Sequence, residues 1–191
     1  MGRTDTKLLV NEVLSRIGSA GIMGQTIEAN TALEALDALQ TIPDSVSPIT
    51  KKRLIHEIRR QELMTFTQDT DSMTVQLSVK GIHRLQKHEI ESMAIPVMEK
   101  WDGCWRMVMY DIPARHAESR YLLTSNLKRL GFVMIQGSVW AHPYPCFEII
   151  SRLTTYANLT QFVTVAGISQ LDKSTERKLH RKFSPKYQLS E

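Results

Sequence analysis

Two groups of residues in this sequence have the types and spacing to do chemistry. The first lies in SPITKKRLIHEIRRQ, residues 47–61, which places Lys51, Lys52, Arg53, His56, Arg59 and Arg60 close together. Cations at this density suit a polyanion, and guanidinium groups suit phosphate oxygens and guanine edges in particular. The second is Asp111, the carboxylate that ends the apolar run CWRMVMYDIP at 104–113. An isolated carboxylate is costly to bury, so Asp111 is expected to be solvated, hydrogen-bonded or holding a cation. A carboxylate's oxygen ligands suit Mg2+ or Mn2+, and such an ion can activate water and neutralise charge on phosphate. His116 is then the nearest candidate base and Glu118 the nearest further acid. The plainer alternative has Asp111 accepting backbone N–H bonds from the DIPAR turn and the start of the following helix.

The basic run gains meaning from its helical phase. Ser47 is a suitable N-cap and Pro48 a suitable first helical residue, so a helix is expected over 48–62. At about 100° per residue, Arg53, His56, Arg59 and Arg60 gather on the Lys52 side, while Leu54, Ile55 and Ile58 fall on the other. One face packs and the opposite face is cationic. A merely solvated basic face is the bland reading, and the surrounding elements argue against it.

Those elements are read as follows. TKLLVNEVLSRIG (6–18) carries Leu9, Val10, Val13, Leu14 and Ile17 at helical spacing, and QTIEANTALEALDALQ (25–40) repeats the pattern with Ile27, Leu33, Leu36 and Leu39. After the basic helix come MTFTQ and MTVQLSV, two alternating strands joined by the turn-rich DTDS, and then a further helix from SVKGIHRLQKHEIESM. Three helices followed by a hairpin is the order of a winged helix-turn-helix over residues 1–95, with the basic helix as its DNA reader. From the IPVMEKWDG stretch onward the pattern changes. Strand 104–111, helix 115–130 closed by Gly131, strands within 132–143, helix 146–157 and strand 159–169 predict a ferredoxin-like βαββαβ domain over residues 96–191. The fold class is thus α+β. The tail, DKSTERKLHRKFSPKY, sets Lys173, Arg177, Lys178, Arg181, Lys182 and Lys186 against Glu176 and Asp172, a second basic element able to reach DNA or fold over a partner.

Composition bounds these readings. The chain has 191 residues, 42% hydrophobic and 23% charged, with a net charge of +4, as expected of an ordinary globular protein of one or two domains. No apolar stretch approaches the roughly 18 residues of a membrane helix, and the N-terminus lacks the apolar core of a signal peptide. Gly2 and Thr6 fit the loose N-myristoylation pattern, which matches often by chance. Cys104 and Cys146, far apart and without a CxxC, read as reduced thiols of a cytoplasmic protein. Trp101, Trp105 and Trp140 read as core rather than base-stacking platforms, and His83 and His88, lacking metal-ligand spacing, as surface residues.

WDGCWRMVMYDIP, followed some way on by RLGFVMIQGSVWAHP, resembles the central region of PaaX-type transcriptional repressors of phenylacetic acid catabolism. In that family a winged helix precedes a domain similar to the small dimeric endonuclease of CRISPR adaptation. The shared words here are Tyr110, Asp111 and Ile112, then Gly131, Gln136, Ser138 and Val139. The CRISPR relatives typically place an aromatic residue and a glutamate after Ser-Val; this chain has Trp140 and Ala141. PaaX-type repressors usually continue into a further C-terminal region, whereas this chain stops soon after its last strand. A small-molecule effector such as the coenzyme A thioester of the best-known members is one reading the resemblance offers, and that departure counts against it.

The resemblance and the basic helix together predict a homodimeric repressor that binds double-stranded DNA, the helix supplying Lys51, Lys52, Arg53, His56, Arg59 and Arg60, with no cofactor expected and no membrane. The alternative is a Mg-dependent endonuclease, or an adaptation subunit, working at Asp111 with the winged helix as an appendage. A protein-binding dimeric adaptor is a third possibility.

Overall fold

A computed structural model of the chain describes residues 6–19 and 24–183. Gly2 and Lys186 lie outside the described residues. The fold is mixed α+β, and the chain divides into two compact units, Met1–Glu89 and Ile90–Glu191. The division falls inside a helix, somewhat ahead of the 95/96 boundary expected from the sequence. Ile90 already belongs to the second core, which accounts for the shift.

The first unit runs α1 (Thr6–Ser19), β1 (Gln25–Ile27), α2 (Ala32–Ala38), α3 (Pro48–Arg60), β2 (Met64–Gln68) and β3 (Met73–Leu77). It ends in most of α4 (Val79–Ser92). Its three strands form one antiparallel sheet in the order β1-β3-β2. Here the structure corrects the sequence reading. Residues 25–27 are not helical but pair with Met73–Val75, and the second helix begins only at Ala32. The cause is local: the Thr31 hydroxyl accepts the Glu34 N–H at 3.2 Å while the Glu34 carboxylate reaches back to the Asn30 N–H at 2.9 Å, fixing the helix start at that point. The core of this unit is built on Val10, Val13, Leu14 and Ile17 of α1, Ala35 and Leu36 of α2, Leu54 and Ile58 of α3, and Val75 of β3, all fully buried.

The second unit runs β4 (Trp105–Tyr110), α5 (Ala117–Arg129), β5 (Val133–Gln136), β6 (Val139–His142), α6 (Phe147–Tyr156), β7 (Val163–Ile168) and α7 (Lys173–Phe183). The sheet order is β5-β6-β4-β7 with every neighbouring pair antiparallel. Gly131, at φ 90, closes α5 with its N–H on the Lys128 carbonyl, a left-handed position that favours glycine. Val108 joins Leu123, Leu127, Ile150 and Leu153 of α5 and α6 in one apolar cluster, while Trp105, Met107 and Ala141 join Leu179 and Phe183 of α7 in another. Neighbouring strand residues point to opposite faces, so the sheet carries helices on both sides. Trp105 and Trp140 are buried, and Trp101 stacks 4.8 Å from Trp105 while donating to the Pro143 carbonyl at 3.1 Å. The tryptophans are core, as expected. Burial pushes the Cys146 thiol up to about 12, which makes it an inert thiol.

One charge inside β4 is conspicuous. Arg106 is buried in an otherwise apolar strand, and its guanidinium meets both oxygens of Asp102 and the carbonyls of Cys104 and Pro143. The Arg106 guanidinium holds the Asp102 carboxyl below the usual aspartate range. A carboxylate whose folded pKa is depressed adds stability above its unfolded value, near 4, and loses it as pH falls below that value. Asp102 is partly exposed, so the contribution is modest. Asp102→Asn is expected to cost about 1–2 kcal/mol in urea unfolding at pH 7, and the difference from the parent should shrink steadily below about pH 4.

Candidate nucleic-acid interface

α3 is fixed before it is charged. The Ser47 hydroxyl accepts the Thr50 N–H at 3.3 Å and Pro48 opens the helix. Leu54 and Ile58 are fully buried, which leaves the opposite face in solvent. Lys52, Arg53, His56, Arg59 and Arg60 are all exposed. Of the sequence-derived set, the structure brings these five together on one surface and sets Lys51 apart. The Lys51 ammonium lies half-buried, 2.8 Å from Asp37 of α2, and serves to tie the two helices. Lys52, Arg53 and Arg59 make no ion pair among the described residues. The Arg59 guanidinium instead lies 5.5 Å from the centre of the Phe66 ring on β2, which steadies it against the hairpin without neutralising it.

Arg60 is different. Its guanidinium donates to both oxygens of Glu57, at 2.9 and 2.6 Å. Arg60 first, then Gln61, pulls the Glu57 carboxyl down to about 2, so that acid stays charged at any ordinary pH. Gln61 is gripped in turn by Arg84 of α4, whose Nε also donates to Asn11 of α1 at 2.9 Å. Lys52, Arg53 and His56 therefore overlook an open hollow of about 810 Å³ that Lys7 and Arg84 also line. Sequence reasoning missed Arg84 and Phe66, because neither carries a local signal and each becomes relevant only through the packing of its element on α3.

Asp111 takes the solvated outcome among those expected of it. The last residue of β4, Tyr110, donates its N–H to the Ser138 carbonyl and its hydroxyl to the Gly137 carbonyl. Asp111 donates its own N–H to the Phe162 carbonyl at 3.0 Å, which leaves its side chain exposed. The expectation that its carboxylate would accept backbone N–H bonds from the turn is corrected: it makes no hydrogen bond or ion pair among the described residues. A 3-10 turn, Ala114–His116, intervenes before α5, and His116, not Asp111, occupies the capping position. Asp111 lines an open hollow of about 590 Å³ together with Arg120, Tyr121, Thr124 and Ser138.

Residues 98–180 match the family model described as the PaaX protein central Cas2-like domain. Over that stretch, somewhat under half of its length, the chain is similar to the PaaX central domain. The match lies wholly within the second unit and includes Asp111, both helices α5 and α6 and most of α7. No curated protein matches the chain significantly.

Within the matched residues the two shared sequence words come together, since Tyr110 of the first is hydrogen-bonded to Ser138 of the second. Ala141, at the position where the CRISPR relatives typically carry a glutamate, is fully buried beside Leu179 and Phe183. No group of three or more His, Cys, Asp or Glu side chains able to hold a metal ion occurs among the described residues. Asp111 is thus a lone carboxylate in a hollow whose other charged lining residue is the cation Arg120. Among the described residues of a single chain, no second carboxylate or histidine joins Asp111 in that hollow. No helix among the described residues is long and apolar enough to cross a membrane.

Proposed function

We propose that the chain is a homodimeric transcriptional regulator, most simply a repressor, that reads duplex DNA with the cationic face of α3. The observation that carries this reading is the contrast across that one helix: Leu54 and Ile58 fully buried, and Lys52, Arg53 and Arg59 exposed without acidic partners. The order α1-β1-α2-α3-β2-β3 with a small antiparallel sheet supports a winged helix-turn-helix, in which α3 enters the major groove. The β2–β3 hairpin carries Asp69 and Asp71 at its tip, so phosphate contact falls to α3 and not to the tip. The sheet order β5-β6-β4-β7 supports a ferredoxin-like second half, and the PaaX match supports a regulator. Dimerisation through that half would present two readers to successive major grooves of a two-fold operator.

The endonuclease alternative rests on the exposed Asp111. The regulator reading predicts that duplex DNA incubated with the chain in Mg2+ or Mn2+ is retained but not nicked. Asp111→Asn should bind DNA within about twofold of the parent, since the change removes no cation that meets phosphate. Metal-dependent cleavage abolished by Asp111→Asn, with binding intact, would replace the regulator with a nuclease.

A further inference from the structure

The basic tail, set aside by the reading of α3, has a defined place in the fold. α7 is anchored at both ends of its charge. At its start, Asp172 accepts the Ser174 hydroxyl at 2.5 Å and the N–H groups of Ser174 and Thr175, each at 3.0 Å, and these bonds, the Ser174 hydroxyl first, hold its carboxyl well below the usual range. Along one side, Leu179 and Phe183 are buried against Trp105, Met107 and Ala141. The face turned away from the sheet holds Lys173, Arg177 and Arg181, one above the next at intervals of four residues, or about 6 Å of helix rise. All three are exposed.

Among the described residues no acid offsets these cations, a property they share with Lys52, Arg53 and Arg59 of α3, whereas Arg16 meets Glu12, Lys51 meets Asp37, Arg60 meets Glu57 and Lys80 meets Glu62. Lys173, Arg177 and Arg181 form no ion pair among the described residues; the Arg177 Nε turns back to the Lys173 carbonyl at 3.0 Å. A row of like charges at helical neighbours is repulsive in isolation. It becomes favourable against a row of negative charge, and a nucleic-acid backbone is such a row.

We propose that the outer face of α7 is a second nucleic-acid surface, which grips backbone phosphates without reading sequence. This deepens the regulator reading and rests on it for the identity of the polyanion. An anionic membrane is the rival partner for a basic amphipathic helix, but such a helix needs a free apolar face to enter the interface. In α7 that face is spent on the sheet, with Leu179 and Phe183 buried. Charge alone remains, and charge alone suits phosphates in solution.

The test uses the full chain and random-sequence duplex DNA, with binding measured against salt. Each phosphate neutralised contributes a slope of about −0.9, so Lys173→Gln, Arg177→Gln and Arg181→Gln together should make the slope shallower by about 3 per bound chain. Arg177→Lys and Arg181→Lys should leave it unchanged, because the count of charges is kept. A set with Lys52, Arg53 and Arg59 changed to Gln should retain a weak, salt-dependent affinity that the α7 changes then remove. An unchanged slope in the α7 variant overturns the proposal, and if the α3 variant still loses affinity the regulator reading stands without it. Loss of neither would sink both. Binding to vesicles of one part phosphatidylserine to three parts phosphatidylcholine that depends on the α7 cations, without any change in the DNA slope, would assign the face to lipid and overturn the proposal.

Discussion

Replacing Lys52, Arg53 and Arg59 together with glutamine is expected to weaken duplex DNA binding by more than a thousandfold at 100 mM salt, or about 4 kcal/mol. The size of the effect follows from counting. Three cations per chain, six in a dimer, account for a salt slope of roughly −5, and most of that affinity is the release of counterions from the phosphates they replace. The fold should not suffer, because all three side chains are exposed and none holds an acid in place among the described residues. Unfolding midpoints are expected within a degree or two of the parent, which separates lost contact from lost structure. Lys51→Gln is the informative contrast. Its ammonium is engaged with Asp37, so it should change affinity several-fold at most and show a small loss of stability. If Lys51→Gln matched the triple variant, the DNA surface would have to be redrawn toward α2.

The second large effect concerns the fold that presents α3. Gly81, in the first turn of α4, lies so close to the loop after α3 that an added Cβ would stand 2.0 Å from the Leu63 carbonyl oxygen. That oxygen is not free to retreat, because it accepts the Ser78 N–H at 3.0 Å, and the Ser78 hydroxyl accepts the Gly81 N–H. Gly81→Ala must therefore push α4 away from the hairpin. The expected cost is about 3 kcal/mol or more, with the midpoint of the first unit falling by roughly 15 °C. Gly18→Ala is the control: its Cβ would meet only the Leu85 Cδ2, a side-chain end that can turn aside, so its cost should be clearly smaller. Equal costs would mean that the approach of α4 to Leu63 is looser than the structure has it.

How much of this was legible in the sequence varies with how local each feature is. α3 could be read because its determinants are local: Ser47 and Pro48 set the start, and the period of Leu54 and Ile58 sets the buried side. β1 could not, since Gln25–Ile27 is only three residues long and the strand exists only through pairing with β3, far along the chain. The Asp102–Arg106 pair was invisible because an arginine inside an apolar strand announces nothing until its partner folds beside it. The charge of the tail was plain, but not that Leu179 and Phe183 would fasten it to the sheet and leave only cations outside. Asp111 was noticed for the right reason and misjudged in its partners. The intervening 3-10 turn, which no local pattern signalled, separates its carboxylate from the helix start.

The measurement that bears most directly on the central claim is the affinity of the unaltered chain for duplex DNA between 50 and 200 mM salt. The cationic face of α3, doubled in a dimer, predicts a log–log slope of about −5 or steeper and at least a thousandfold loss across that range. A slope near zero would contradict the account, because it would leave Lys52, Arg53 and Arg59 with no phosphates to meet.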